Sequence, residues 1–201
     1  MRPVPAATRT RAEASERVRD AIVAATVRIV AREGISAVTH RRVASEAGVA
    51  LSSTTWHFAT KTDILVAALR WTAHREVTRI LAIADRLGGD EFDPAAWADE
   101  LADWLLEQVS GERDVAVALY RLQIELLGRP EAHEVHEQWG HSLRALGERV
   151  LENSHTITPD LDTRLIVAAL DGLRLSVLSA GDPDTSWLRP AVQRQLRALL
   201  G

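Results

Sequence analysis

The stretch Thr39–Phe58, THRRVASEAGVALSSTTWHF, decides how this chain of 201 residues should fold. It contains two short helical segments, about Thr39–Ala47 and Leu51–Phe58, that are separated by a glycine. Gly48 can adopt the left-handed backbone conformation that a tight turn between two helices requires. The pattern therefore predicts a helix-turn-helix.

The second of these helices carries an unusual polar face. Leu51 and Phe58 should point into a core, which leaves six side chains for the outer surface: Ser52, Ser53, Thr54, Thr55, Trp56 and His57. Short hydroxyl side chains let a helix approach base edges closely, and a threonine methyl group can contact a thymine methyl group. We therefore expect this helix to read double-stranded DNA.

The start of the first helix of the pair favours phosphate binding. Thr39 stands where its hydroxyl can cap the helix, and the N-terminal amides can hold an anion. Arg41 and Arg42 follow on the first turn. Because positive side chains oppose the helix dipole there, we expect them to contact phosphate and not to stabilise the fold.

Composition and charge set the broad class. Residues 1–80 hold 13 Lys and Arg against 7 Asp and Glu, a net +6, whereas residues 81–201 hold 11 against 21, a net −10. A basic front and an acidic back suggest polyanion contact at the front. The absence of cysteine excludes disulfides, thiolate zinc sites and cysteine nucleophiles. We find no signal peptide or membrane-spanning stretch and expect a cytoplasmic protein.

Helical periodicity runs through the whole chain and strand-like alternation is absent, which predicts an all-α protein of about nine helices. We expect a flexible basic arm over residues 1–14, a three-helix DNA-binding domain over 15–60, and a larger effector-binding and dimerisation domain over 61–201. Glycine and proline punctuation places the helices. The expected bounds are about Glu16–Glu33, Thr39–Ala47, Leu51–Phe58, Lys61–Leu87 ending at Gly88-Gly89, Pro94–Val109, Arg113–Leu127, Glu131–Asn153, Thr158–Ala180 closing at Gly181, and Pro190 to the C-terminus.

Three strings in the first third of the chain resemble the signature of tetracycline-repressor (TetR) family regulators. They are Gly34–Thr39 (GISAVT), Arg42–Val49 (RVASEAGV) and Ser53–Lys61 (STTWHFATK). The resemblance implies a dimeric repressor with the second short helix in the major groove of a palindromic operator. It implies phosphate contacts from Thr39, Trp56, His57 and Lys61, and base contacts from Ser52, Thr54 and Thr55. Two departures concern these contacts, since Ala50 replaces the usual serine cap and Trp56 a commoner tyrosine.

The segment Thr158–Ala180 has two apolar faces, one of which should pack in its own domain. The other carries small residues that permit close helix approach, and the resembled family dimerises through this helix. We expect a homodimer interface formed by Leu165, Ala169, Gly172, Ser176 and Ser179. The alternative is the central helix of a monomeric bundle.

Aromatic residues with a few polar tips recur in the middle helices, which suits an apolar effector pocket and also an ordinary core. Because the resembled family binds its effectors in this region, we expect a small apolar or amphipathic effector to be lined by Trp97, Leu101, Trp104, Tyr120, Gln123, Trp139, Leu173 and Val177.

Enzyme chemistry has little support in the sequence. The segment from His133 to His141 includes Glu134, His136 and Glu137, with pairs at the i,i+4 spacing of metal ligands, but it reads as a solvated face. No phosphate loop or nucleophile elbow occurs. We therefore expect no metal, cofactor or catalytic residue, and a ligand-responsive transcriptional repressor. The alternatives are a helical ligand-binding or scaffold protein with a non-functional DNA module, and an all-α metalloenzyme.

Overall fold

The computed structural model describes residues 6–87, 93–151, 154, 157–180 and 184–200. Within these ranges it contains nine α-helices and no strand. The helices are α1 (Ala6–Glu33), α2 (His40–Ala47), α3 (Leu51–His57), α4 (Lys61–Leu87), α5 (Pro94–Val109), α6 (Arg113–Leu126), α7 (Pro130–Leu151), α8 (Pro159–Ser179) and α9 (Leu188–Leu200), with a 3₁₀ turn at Ile35–Ala37. The all-α prediction is confirmed.

Local sequence signals explain most helix boundaries. Asp93 caps α5 by accepting from the amides of Ala95 and Ala96, and Pro94 occupies the first helical position. Gly34 follows α1 with φ +87°, a conformation that costs little without a Cβ. The expected ends at Gly88-Gly89, Asn153 and Gly181 lie outside the described residues.

The first helix is longer than predicted. α1 begins at Ala6, ten residues before the expected start at Glu16, so the expected flexible arm over 1–14 is wrong from residue 6 onward. Residues 1–5 lie outside the described part of the chain. The physical reason is composition, because residues 6–15 are mostly alanine, arginine and glutamate, which favour helix even without an apolar stripe.

Two compact units divide the chain. The first combines the residues up to Thr72 with Val117–His133, and the second combines Ala73–Ala116 with the residues from Glu134 onward. Helices α4, α6 and α7 therefore each contribute a segment to both units. This division departs from the expected single boundary at residue 61.

In the first unit, the inward faces of α1, α2 and α4 form the core. Ile22, Val30, Val43 and Ile64 are fully buried. Arg121 donates from Nη1 to the carbonyl oxygens of Val30 (2.7 Å) and Ala31 (2.8 Å), which satisfies backbone acceptors at the end of α1.

In the second unit, α5 packs mainly against α9, and α8 contacts both. One hydrophobic cluster runs through these helices and includes Trp97, Leu105, Leu170, Val192 and Leu196. Arginines of α4 pair with carboxylates that follow on α5 and before α6, namely Arg75 with Glu112, Arg79 with Glu107, and Arg86 with Glu100.

Helices α7 and α8 approach each other closely at Gly147. A Cβ atom at this position would overlap the side chain of Thr163, whose hydroxyl donates to the Pro159 carbonyl at 2.7 Å. Any side chain at residue 147 would have to push the two helices apart.

None of the described helices is apolar over a length sufficient to cross a bilayer.

Candidate nucleic-acid interface and ligand cavity

Helices α2 and α3 are joined by the tight turn that the sequence predicts. Gly48 has φ +67° and ψ 31°, which is the left-handed conformation, and its amide donates to carbonyls of the last turn of α2. Thr39 caps α2, because its Oγ1 accepts from the amide of Arg42 at 3.1 Å. Ala50 gives α3 no side-chain cap. The helix-turn-helix and the Thr39 cap are confirmed.

The outer face of α3 carries Ser52, Thr55 and Trp56, which are exposed, together with Ser53 and His57, which are half-buried. Trp56 is 74% exposed, although its indole is large and apolar. It meets the His57 ring edge-on with 4.5 Å between the ring centroids. A large exposed aromatic beside hydroxyl groups suits a surface that a partner covers.

Two predictions about α3 are wrong. Thr54 does not point outward; it is fully buried, and its hydroxyl donates to the Leu51 carbonyl at 2.7 Å. Its spacing of four residues from Phe58, which is also buried, places both on the inner face. Leu51 is 49% exposed, because it is the first residue of α3 and no preceding turn covers it.

Arg42 is held in an ion-pair network. Its Nη2 lies 2.6 Å from Glu33 Oε1 and its Nη1 lies 3.1 Å from Glu46 Oε2, and Arg28 also pairs with Glu46 at 2.9 Å. The carboxylates, Glu33 first, raise the pKa of Arg42, and the two arginines lower the pKa of Glu46. The expectation that Arg42 has no structural role is therefore wrong, since these pairs offset its unfavourable position in the helix dipole.

The other cationic residues lie at different depths. Arg41 is exposed. Lys61 is half-buried and donates from Nζ to the Ile35 carbonyl at 2.7 Å, which ties the start of α4 to the 3₁₀ turn. A lysine ammonium carries three donors, so two remain for another acceptor.

Two residues beside α3 are not predicted from sequence. The Arg19 guanidinium lies 5.7 Å from the centroid of the Phe58 ring, and Arg19 is exposed. Burial, and then the positive charge of Arg19, lower the pKa of His57. His40 places Nε2 3.0 Å from the Phe58 carbonyl, which joins the start of α2 to the end of α3. Nothing in the sequence separates Arg19 from the other arginines of α1.

The eight expected pocket residues do not all line one cavity. Trp97 and Leu101 line an apolar cavity of about 80 Å³. Trp104 and Trp139 line a second cavity of about 30 Å³. Four residues line both cavities: Ile80, Leu143, Val167 and Leu170.

The other four expected pocket residues line neither of these two cavities. Val177 is buried in the core of the second unit, and Leu173 packs against that core. Tyr120 and Gln123 belong to the first unit, where they are half-buried. A stretch of aromatic residues in sequence does not reveal which compact unit each one joins. The walls that the prediction missed come mostly from aliphatic residues of α7 and α8.

Helix α8 buries one apolar face and exposes the other. Leu170 and Val177 lie in the core. Leu161, Leu165 and Leu175 are 53%, 43% and 51% exposed, and Gly172, Ser176 and Ser179 are exposed on the same side. Ala169 is half-buried. Leucines rarely line up at the surface of a helix unless a partner covers them.

The histidine-rich part of α7 is a solvated surface. His133, Glu134, Glu137 and His141 are exposed, and His136 is half-buried. Among the described residues, no group of three or more His, Asp or Glu side chains is arranged to hold a metal ion.

Both halves of the chain match families of known regulators. Residues 22–68 match "Bacterial regulatory proteins, tetR family", and residues 92–201 match "Tetracyclin repressor-like, C-terminal domain". No curated protein sequence matches the chain significantly. The fold and these matches define a helix-turn-helix transcriptional regulator and not an enzyme.

Solved structures agree with this class. The multidrug binding protein EbrR complexed with ethidium is 34% identical with a TM-score of 0.70, covering 92% of this chain and 99% of EbrR. EbrR with proflavin is 35% identical with a TM-score of 0.61, covering 89% and 99%. A TetR-family member from Streptomyces coelicolor is 32% identical with a TM-score of 0.71, covering 92% and 98%. The chain belongs to the TetR family of transcriptional regulators.

Proposed function

We propose that this regulator is a repressor that binds a palindromic operator as a homodimer and leaves it when a small apolar or amphipathic effector binds. Because the chromosome lies in the cytoplasm, we place the protein there. The observation that supports operator binding is the outer face of α3, where Ser52, Thr55 and Trp56 are exposed. This face lies beside α2, which Thr39 caps and which carries arginines on its first turn. The alternative is a ligand-binding protein whose DNA module no longer functions.

The exposed leucines and small residues of α8 support the proposed dimer. A two-fold interface uses the same patch on both subunits, so the stripe from Leu161 to Ser179 would pack on its own copy. Two recognition helices about one DNA turn apart would then match successive major grooves.

The proposal that an effector releases the operator is supported by the cavity beside Trp97 and by the ligands of similar proteins. EbrR is described as binding ethidium, proflavin and malachite green. An effector seated in the second unit can act through α4, which contributes residues to both units. Effector and operator must then weaken each other's binding reciprocally.

Selection of random duplexes by the purified protein at moderate salt tests the DNA half. We expect an inverted repeat to be enriched. A protein that shows no preference for any inverted repeat over random DNA would leave only the ligand-binding alternative.

Lys61→Gln should weaken binding to every duplex alike and lower the slope of log affinity against log salt by about one unit, as loss of one phosphate contact does. Glutamine removes the charge but keeps a donor for the Ile35 carbonyl, so the fold should persist. Arg194→Gln, which removes a charge from an exposed position of α9, is the control. A salt slope equal to that of the parent protein would show that Lys61 does not contact phosphate.

Thr55→Ala should change which base is preferred at one or two positions of each half-site, with a cost of about 1 kcal/mol on the parent operator. Thr54→Ala is the matched control, because that hydroxyl is buried and satisfied within α3; it should lower stability and leave base preference unchanged. Comparing selected sequences for the two variants decides the matter. If Thr55→Ala lowers the affinity equally for every base variant of the operator, Thr55 does not contact a base.

A further inference from the structure

One arginine of α1 lies beside the DNA-reading helix without a counter-charge. Arg19 is exposed, and its guanidinium lies 5.7 Å from the centroid of the ring of Phe58, the residue that follows α3. Among the described residues, this guanidinium makes no hydrogen bond and no ion pair. Every N–H donor of the group therefore stays available to a partner.

Other arginines of the first unit have carboxylate partners that join its helices. Arg28 pairs with Glu46 at 2.9 Å, and Arg42 pairs with Glu33 at 2.6 Å. Arg19 has no such partner within the described part of the chain. The fold thus uses the charges of Arg28 and Arg42 and leaves that of Arg19 uncompensated.

Phe58 fixes the place of this charge. Its ring is 5% exposed and so belongs to the core, and the guanidinium of Arg19 lies over it. A guanidinium that packs on an aromatic face keeps its N–H donors at its edge, where they can bind a phosphate with two hydrogen bonds. Arg19 is therefore held in a position that suits an oxyanion.

The electrostatic surroundings also favour an anion. His57, the last residue of α3, is half-buried near Arg19. Burial, and then the charge of Arg19, lower the pKa of its imidazole, and no carboxylate of the described chain offsets them. Because Arg19 opposes the charged form of this histidine, an anion bound between the two side chains would stabilise both positive charges.

The position of Arg19 relative to α3 identifies the source of that anion. In a helix-turn-helix, the N-terminal residues of the recognition helix contact the base edges in the major groove. The C-terminal end of the helix is then directed out of the groove, towards the sugar-phosphate backbone. Arg19 lies at this C-terminal end, next to His57 and Phe58.

We propose that Arg19 is a DNA-contacting residue of α1 that holds one backbone phosphate in each half-site of the operator. This assignment rests on the proposed binding of an operator, and it adds α1 to the surfaces that contact DNA. A phosphate contact positions the protein on the duplex without reading a base.

Salt dependence provides the first test. Arg19→Gln should weaken binding of the full-length protein to the selected inverted repeat and to a random duplex by the same factor, about fivefold to tenfold near 0.1 M salt. The slope of log affinity against log salt should fall by about one unit on both duplexes. Arg17→Gln is the matched control, because Arg17 is exposed two positions earlier on the opposite side of α1 and should leave affinity and slope unchanged.

Two further variants separate the charge of Arg19 from its contact with Phe58. Arg19→Met removes the charge, but its flexible apolar side chain can still cover the ring, so it should bind DNA as Arg19→Gln does. Arg19→Lys keeps the charge and should keep the salt slope of the parent protein. The midpoint of urea unfolding, measured on each variant, shows whether the fold persists.

Neutral methylphosphonates placed singly along the inverted repeat identify the phosphate. Each one removes a backbone charge, and its effect is compared between the parent protein and Arg19→Met. At one phosphate of each half-site, the methylphosphonate should weaken the parent about fivefold and the variant by less than about twofold. A role of Arg19 in packing alone would produce no such coupling at any phosphate.

The proposal is overturned if Arg19→Met folds and keeps the parent salt slope, if Arg17→Gln loses as much slope, or if no phosphate is coupled to Arg19. A protein that selects an inverted repeat but whose salt slope does not depend on Arg19 refutes only this contact. A protein that selects no inverted repeat, and whose slope on random DNA still falls in Arg19→Met, refutes only the repressor and supports the contact.

Discussion

Replacing Leu165 by glutamate should convert the proposed dimer into monomers. Leu165 lies at the middle of the exposed stripe of α8, and two-fold symmetry places the substitution in the interface twice. A loss of about 2 kcal/mol at each copy raises the dimer dissociation constant about a thousandfold. Sedimentation equilibrium at micromolar concentration measures the change, and affinity for the inverted repeat should fall with it.

Leu127→Glu is the matched control for this experiment. Leu127 is 78% exposed but follows α6, away from the α8 stripe in sequence, so the same chemical change there should leave the oligomeric state as it was. A dimer that survives Leu165→Glu, or a parent protein that is monomeric at that concentration, would contradict the interface.

Arg174→Met should destabilise the second unit by about 3–5 kcal/mol at neutral pH, because it leaves Glu76 buried without its main counter-charge. Urea unfolding followed by circular dichroism measures the loss. The double variant Glu76→Leu, Arg174→Met removes both charges and should recover most of the stability, since apolar pairs often replace buried ion pairs without cost. If Arg174→Met changes the free energy of unfolding by less than about 0.5 kcal/mol, which is the range of ordinary surface substitutions, Arg174 does not stabilise the second unit through Glu76.

The pH dependence of the stability of the Arg174→Met variant provides a second test. Burial raises the pKa of Glu76, an effect that the charge of Arg174 opposes, so removing the arginine raises that pKa further. A carboxyl whose pKa is higher in the folded state than in the unfolded state favours folding at low pH. This stabilisation is lost as the pH rises from the pKa of Glu76 in the unfolded state through its pKa in the folded state. The variant should therefore lose less stability near pH 5 than near pH 8.

Local signals account for what the sequence predicted well. Glycine at residue 48, the cap at Thr39 and proline at residue 94 each act within a few residues, so the turn and the helix starts follow directly. The inner position of Thr54 could also have been found, since four residues separate it from Phe58. The expectation failed because a threonine was assumed to be a surface residue.

Long-range pairs account for what was missed. Arg174 and Glu76 are separated by 98 positions in the chain, and the sequence places the arginine in a helix with two apolar faces. Nothing local reveals its partner or its burial. The same holds for the cavity walls, which depend on how α7 and α8 approach. The pairs of Arg42 are more local, since Glu33 lies nine positions away and Glu46 four.

The path of the chain limits how regulators of this kind can be recombined. The unit that contains the DNA-reading helices also includes Val117–His133, where Leu122 and Leu126 are buried and Arg121 holds the end of α1. A fragment cut after Thr72 would lose that arginine and expose apolar surface. Chimaeras that exchange operator specificity between relatives should therefore fold only when the α6 segment is transplanted together with the N-terminal helices.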